Sequence, residues 1–102
     1  MQIISKKEDN RIVLIISGRL DKINAPTLQA EILNAFKSTK HLTLDFKDVD
    51  YASSAGLRTL LIGHKTATSK GGSLELCNVN KSVMEVLSIV GFCKILTIKE
   101  QN

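Results

Sequence analysis

The chain has 102 residues, 43% of them hydrophobic and 24% charged, with a formal net charge of +4. This is an ordinary globular balance for one domain over residues 1–102, which excludes a disordered chain. No apolar run approaches the roughly 20 residues needed to cross a bilayer, so no membrane insertion is expected.

Gln2 to Lys7 reads as an edge strand, followed by turn residues at Glu8-Asp9-Asn10. Ile12 to Ile16 is a continuous apolar, mostly β-branched run and predicts an interior strand that Gly18 ends. Asn24 or Ala25 then caps a first helix, with Pro26 in its first turn. Ala25, Leu28, Ile32, Leu33 and Phe36 keep helical spacing along it. His41 to Phe46 alternates polar and apolar residues as a strand, and 47–52 reads as a loop.

A second helix follows Ser53-Ser54-Ala55-Gly56, with Gly71-Gly72 as its C-terminal signal. Ser73 to Val79 is a further strand. Ser82 and Glu85 form a capping box for a third helix, which Gly91 ends, and Lys94 to Lys99 is a last strand. The order is β-β-α-β-α-β-α-β. Helical crossovers between successive strands imply mostly parallel pairing with right-handed connections. Because the strands at 41–46 and 73–79 alternate rather than run uniformly apolar, the helices are expected to lie mainly on one face of a mixed sheet.

Little in this chain suits catalysis. His41 and His64 are the only histidines, and no His/Cys/Asp/Glu group has metal-ligand spacing, so no metal, cofactor or catalytic residue is expected. No phosphate-binding glycine motif occurs. Cys77 and Cys93, sixteen positions apart, are expected to be small buried hydrophobes. The lysines are scattered along the sequence and read as solvated. With Phe36, Phe46, Phe92 and Tyr51 as the only aromatics, nucleic-acid binding is not expected. The N-terminus has no basic patch before an apolar stretch, so the expected location is cytoplasmic.

One segment stands apart: Tyr51-Ala52-Ser53-Ser54-Ala55-Gly56-Leu57-Arg58, where a strand gives way to a helix, the place where α/β folds make their ligand and partner contacts. Serine is a favoured N-cap, and only one of the two serines can hold that position, which leaves the other hydroxyl free. Phosphorylation there would add about −1.5 to −2 charges, which a helix N-terminus tolerates and an apposed partner surface does not. Arg58 lies one turn on and is a candidate contact. Tyr51 is expected to anchor the segment in the core.

The chain resembles the STAS family, and within it the bacterial anti-sigma-factor antagonists. Gly18-Arg19-Leu20-Asp21, Leu42 to Phe46, Tyr51 to Leu57, Gly71-Gly72, Cys77-Asn78-Val79 and Val90-Gly91-Phe92 carry the likeness. It implies a single STAS-type domain that binds an anti-sigma factor with serine kinase activity, is released when that kinase phosphorylates it, and is restored by a PP2C-type phosphatase. The implied phosphoacceptor is Ser54, with Ser53 the alternative; Ser53, Ala55, Gly56 and Arg58 are the implied partner contacts. In the family an aspartate commonly stands where this chain has Ser53, and a serine or threonine where it has Ala55. Many relatives continue into a further helix after the last strand. The resemblance implies a non-enzyme, and a monomer is expected of a chain without a coiled-coil heptad or an obvious apolar patch; the alternative is a constitutive STAS subunit of a transport or sensory complex, with no phosphorylation switch.

Overall fold

The computed structural model describes residues 1–99. Seven residues of β1 (Gln2–Glu8) pair antiparallel with β2 (Arg11–Leu20) across a tight turn in which Asp9 takes a left-handed φ of 50°. There follow α1 (Ala25–Ala35), β3 (His41–Ala52), α2 (Ser54–Ser69), β4 (Ser73–Cys77), α3 (Lys81–Ile89), a 3-10 turn at Phe92–Lys94 and β5 (Thr97–Ile98). The five strands lie side by side in the order β1-β2-β3-β4-β5, parallel from β2 onward. With right-handed crossovers, a sheet that steps steadily in one direction keeps all its crossover helices on one face.

Burial follows that asymmetry. Ile12, Leu14, Ile16, Leu42, Leu44, Phe46, Leu74 and Leu76 are buried beneath the helices, joined by Leu28 and Ile32 of α1, Leu57 and Leu60 of α2, and Val83 and Leu87 of α3. Their neighbours along the strands, Val13, Ile15, Asp45, Glu75 and Cys77, point to the open face and are only half-buried. On that face Arg11 reaches across β3 to Glu75, with Thr43 bridging them.

Several boundaries differ from the sequence expectations. Gly18 does not end β2, which runs on to Leu20; Gly18 stays in the strand at φ 116°, where the Met1 backbone crosses close by. Residues 47–52 are not a loop but the continuation of β3. Its register against β2 shifts twice, and each shift inserts an extra β3 residue. Phe46, Val49 and Ala52 are therefore all buried while the residues between them are exposed. A period of three hides a bulged strand from a search for a period of two.

The third helix is capped by Asn80 rather than Ser82: its side chain accepts from the Val83 amide at 2.8 Å and donates to the Val49 carbonyl at 2.7 Å. The last strand is confined to Thr97–Ile98, because Gly91, at φ 80°, turns the chain into the 3-10 segment. Leu33, among the residues at helical spacing along α1, is exposed.

Candidate functional site

The site forms where β2 and β3 end together and α1 and α2 begin. Leu20 and Ala52 are paired at the strand tips, and the Leu20 carbonyl accepts a hydrogen bond from the Ser53 amide at 2.9 Å. Beyond Leu20, the Asp21 carboxylate accepts from the amides of Ile23 and Asn24 at 3.1 and 3.0 Å, folding the chain back into α1. Asn24 occupies the N-cap position of α1 without a side-chain capping bond; its amide group donates instead to the Arg19 carbonyl. The polar residues after Gly18 thus hold the β2–α1 connection beside the start of α2.

The two serines divide the work. Ser53 is the N-cap of α2, in extended conformation, and its hydroxyl accepts from the Gly56 amide at 3.4 Å. Its carbonyl takes the first helical bond, from Leu57. Ser54 is the first residue of the helix; its side chain is exposed and makes no hydrogen bond to another described residue. Ala55 is half-buried against the core, Gly56 is buried against Leu20, and Arg58 is exposed. Ser54 and Arg58, four residues apart, share one helix face. The first turn of α2 carries no acidic residue, so nothing on the helix itself neutralises the positive end of its dipole.

Tyr51 is not in the core. It is 42% exposed, and Arg19, its neighbour across the strands, places its guanidinium carbon 4.2 Å from the ring centroid. The bulges carry Ala52 inward instead and leave Tyr51 outside. Ile23, 82% exposed in the β2–α1 connection, adds an apolar side chain at the same end. Neither Arg19 nor Ile23 stands out in the sequence, since their role depends on strand pairing.

This end of the molecule offers a hydroxyl, two arginines and apolar surface, a set suited to contact with another protein. Among the described residues no group of three or more His, Cys, Asp or Glu side chains could hold a metal ion, and no helix is long and apolar enough to cross a membrane. His41 lies at the far end of β3, bonded to Ser73, and His64 is half-buried on α2. Of the cysteines, Cys77 is half-buried on the open face and Cys93 exposed beside Ser88, so neither is the fully buried hydrophobe expected of it.

Known proteins are similar to this chain in sequence and in fold. BtrV of Bordetella bronchiseptica, named as a candidate anti-sigma factor antagonist, is 33% identical over 99 residues, covering 96% of this chain and 85% of its own. The anti-sigma F factor antagonist of Paenibacillus polymyxa is 30% identical over 106 aligned positions, covering 100% and 91%. The Bacillus cell fate determinant SpoIIAA, an anti-sigma factor antagonist solved in unphosphorylated and phosphorylated forms, superposes with TM-scores of 0.77 and 0.74 at 15% and 16% identity. The two alignments cover 99% and 98% of this chain and 90% and 93% of SpoIIAA. The sequence profile of the STAS domain matches residues 2–101, and the chain belongs to the STAS-domain family.

Proposed function

We propose that this protein is an anti-sigma factor antagonist that binds an anti-sigma factor when unmodified and is released by phosphorylation of Ser54. The relatives' names support the first half of this reading. The observation that carries the second is the separation of roles at the helix entrance: Ser53 spends its hydroxyl on the cap, and Ser54 presents a free one to solvent. A phosphate on Ser54 would sit at the amide-rich first turn of α2, where the dipole favours an anion by about 0.3–1 kcal/mol, so the fold would tolerate it. A phosphate on Ser53 would instead disrupt the cap, which makes it the poorer acceptor.

The partner would rest on Ser54, Ala55, Arg58 and the shape that buried Gly56 gives the turn, with Ser53 at its edge. Pressed against that surface, a doubly charged group would lose its hydration. A penalty of about 3 kcal/mol weakens binding by more than about a hundredfold. A partner serine kinase supplies the phosphate from ATP, and a PP2C-type phosphatase removes it by hydrolysis, in the cytoplasm where the sigma factor acts. The chain, as a monomer, is substrate and ligand in this cycle and performs no chemistry.

The test is binding to the cognate anti-sigma factor, captured from the native cell, together with mass spectrometry of the modified residue. Phosphate is expected on Ser54; Ser54→Ala stays bound in the presence of ATP, and Ser54→Asp loses about two orders of magnitude in affinity. Tight binding by Ser54→Asp, or a stable complex indifferent to both substitutions, would replace the switch with a constitutive STAS subunit.

A further inference from the structure

At the end of the sheet opposite Ser54, residues that lie far apart in the sequence surround a cavity of about 470 Å³. Lys7 comes from the end of β1, Lys37 and Lys40 from the α1–β3 connection, and Lys70 from the C-cap of α2. Among the described residues the only carboxylate in the lining is Asp9. Arg11 also lines the cavity, but its charge is already paired with Glu75 on the open sheet face. None of the four lysines takes part in an ion pair among the described residues. Four lysines against one aspartate leave the described lining with a surplus of three positive charges before Arg11 is counted.

We propose that this cavity is a second binding site, for a small anion carrying several linked phosphates. Lysines near helix C-termini also favour the helix dipole, which accounts for Lys37 and Lys70. It does not account for Lys7 on β1 or Lys40 beside β3, which bring like charge to the same lining. Ammonium groups are compact point charges that bind phosphate from several directions without the planar geometry a carboxylate invites. The cavity lies within the roughly 300–1,000 Å³ range of small-molecule sites. Of the two rings in its lining, Phe36 is 1% exposed and His41 is half-buried and hydrogen-bonded to Ser73, so little ring surface is left on which a base could stack. That favours the phosphate chain itself as the recognised chemistry over a nucleic-acid strand. Thr39, also in the lining, donates its hydroxyl to the Asn10 carbonyl at 2.8 Å while accepting from the His41 amide at 3.1 Å, which ties the β1–β2 turn to the start of β3.

This site does not depend on partner switching at Ser54, and calorimetry separates the two. Sodium tripolyphosphate is titrated into the wild type, the Lys37→Gln/Lys40→Gln variant, Lys70→Gln and Ser54→Asp, at constant ionic strength. One saturable site is expected in the wild type and in Ser54→Asp. Affinity should fall by about tenfold or more in the Lys37→Gln/Lys40→Gln variant, with a smaller loss in Lys70→Gln. Orthophosphate should bind the wild type at least about tenfold more weakly than tripolyphosphate. Circular dichroism checks that each variant is folded, and Lys70→Gln keeps the test open if the double variant is not. Absence of saturable binding, equal affinity in wild type and folded lysine variants, or equal affinity for orthophosphate would overturn the proposal. Tighter binding of a short single-stranded RNA, lost in the same variants, would assign the cavity to nucleic acid instead and also overturn it.

Discussion

Gly56 sits so close to Leu20 that a β-carbon on it would lie 2.5 Å from Leu20 Cγ and 2.9 Å from the Leu20 carbonyl oxygen. That same carbonyl receives the Ser53 amide, so the end of β2 and the start of α2 are locked face to face. Gly56→Ala would normally stabilise a helix interior by about 1 kcal/mol. Here the methyl group meets backbone and a fully buried leucine, and overpacking of that kind costs about 1–3 kcal/mol. The expected net result is a lower urea midpoint with an unchanged m-value. A midpoint equal to or above the wild type's would show that α2 can move away from Leu20 without cost.

The adjacent serines should separate cleanly in stability measurements. Ser53→Ala removes the hydroxyl that caps Gly56 and is expected to cost about 0.5–2 kcal/mol. Ser54→Ala removes an exposed, unbonded hydroxyl and should stay within about 0.5 kcal/mol of the wild type. Equal losses at both positions, read by thermal or urea unfolding, would mean that the two hydroxyls share the cap.

Most of the element order was legible because hydrophobic periodicity and glycine stops are local signals. Gly91 turned the chain where expected, and the alternation at Leu74, Glu75 and Leu76 reported a one-sided sheet. The second half of β3 was not legible, because its two bulges depend on pairing with β2 and change the spacing of buried residues. Asn80 illustrates the same limit. Its capping oxygen could be guessed from residue type, but its grip on Val49 joins positions 31 residues apart. At the site, the pair of serines was visible and their division of roles was not, since the choice of cap rests on the Leu20–Ser53 bond. Arg19 over Tyr51 could not be read at all without the strand register.

On the open face, Glu75 gathers three donors: Arg11 at 3.1 Å, Lys99 at 3.3 Å and the Thr43 hydroxyl at 3.0 Å. Its side chain is only 12% exposed, whereas that of Lys99 is 63% exposed. Glu75→Ala leaves the buried Thr43 hydroxyl without its acceptor and the Arg11 guanidinium without its charge partner, and a loss of about 1–3 kcal/mol is expected. Lys99→Ala removes a screened surface charge and should change stability by no more than about 0.5 kcal/mol. A double-mutant cycle between Arg11 and Glu75 measures their coupling directly. A cycle that sums to zero would mean that the pair merely coexists on the sheet.

Cys77 and Cys93 should differ sharply towards thiol reagents. Burial raises the Cys77 pKa above the ordinary 9.0, with the negative charges of Asp45 and Glu75 adding to the shift and Lys99 opposing it. At pH 8 Cys77 is therefore held as the unreactive thiol, and the exposed Cys93 should be alkylated first. The same shift has a consequence for stability. The folded chain keeps a proton on Cys77 that the unfolded chain releases, so unfolding gives up a proton once the pH passes the unfolded value. The Cys77 contribution is present in full below about pH 9 and declines as the pH climbs towards the raised folded value. Cys77→Ala should flatten that alkaline decline even if it lowers stability at pH 7 by removing buried volume. Modification of Cys77 as fast as Cys93 in the native protein, or an alkaline profile unaltered in Cys77→Ala, would mean that solvent reaches Cys77 freely on the open face of the sheet.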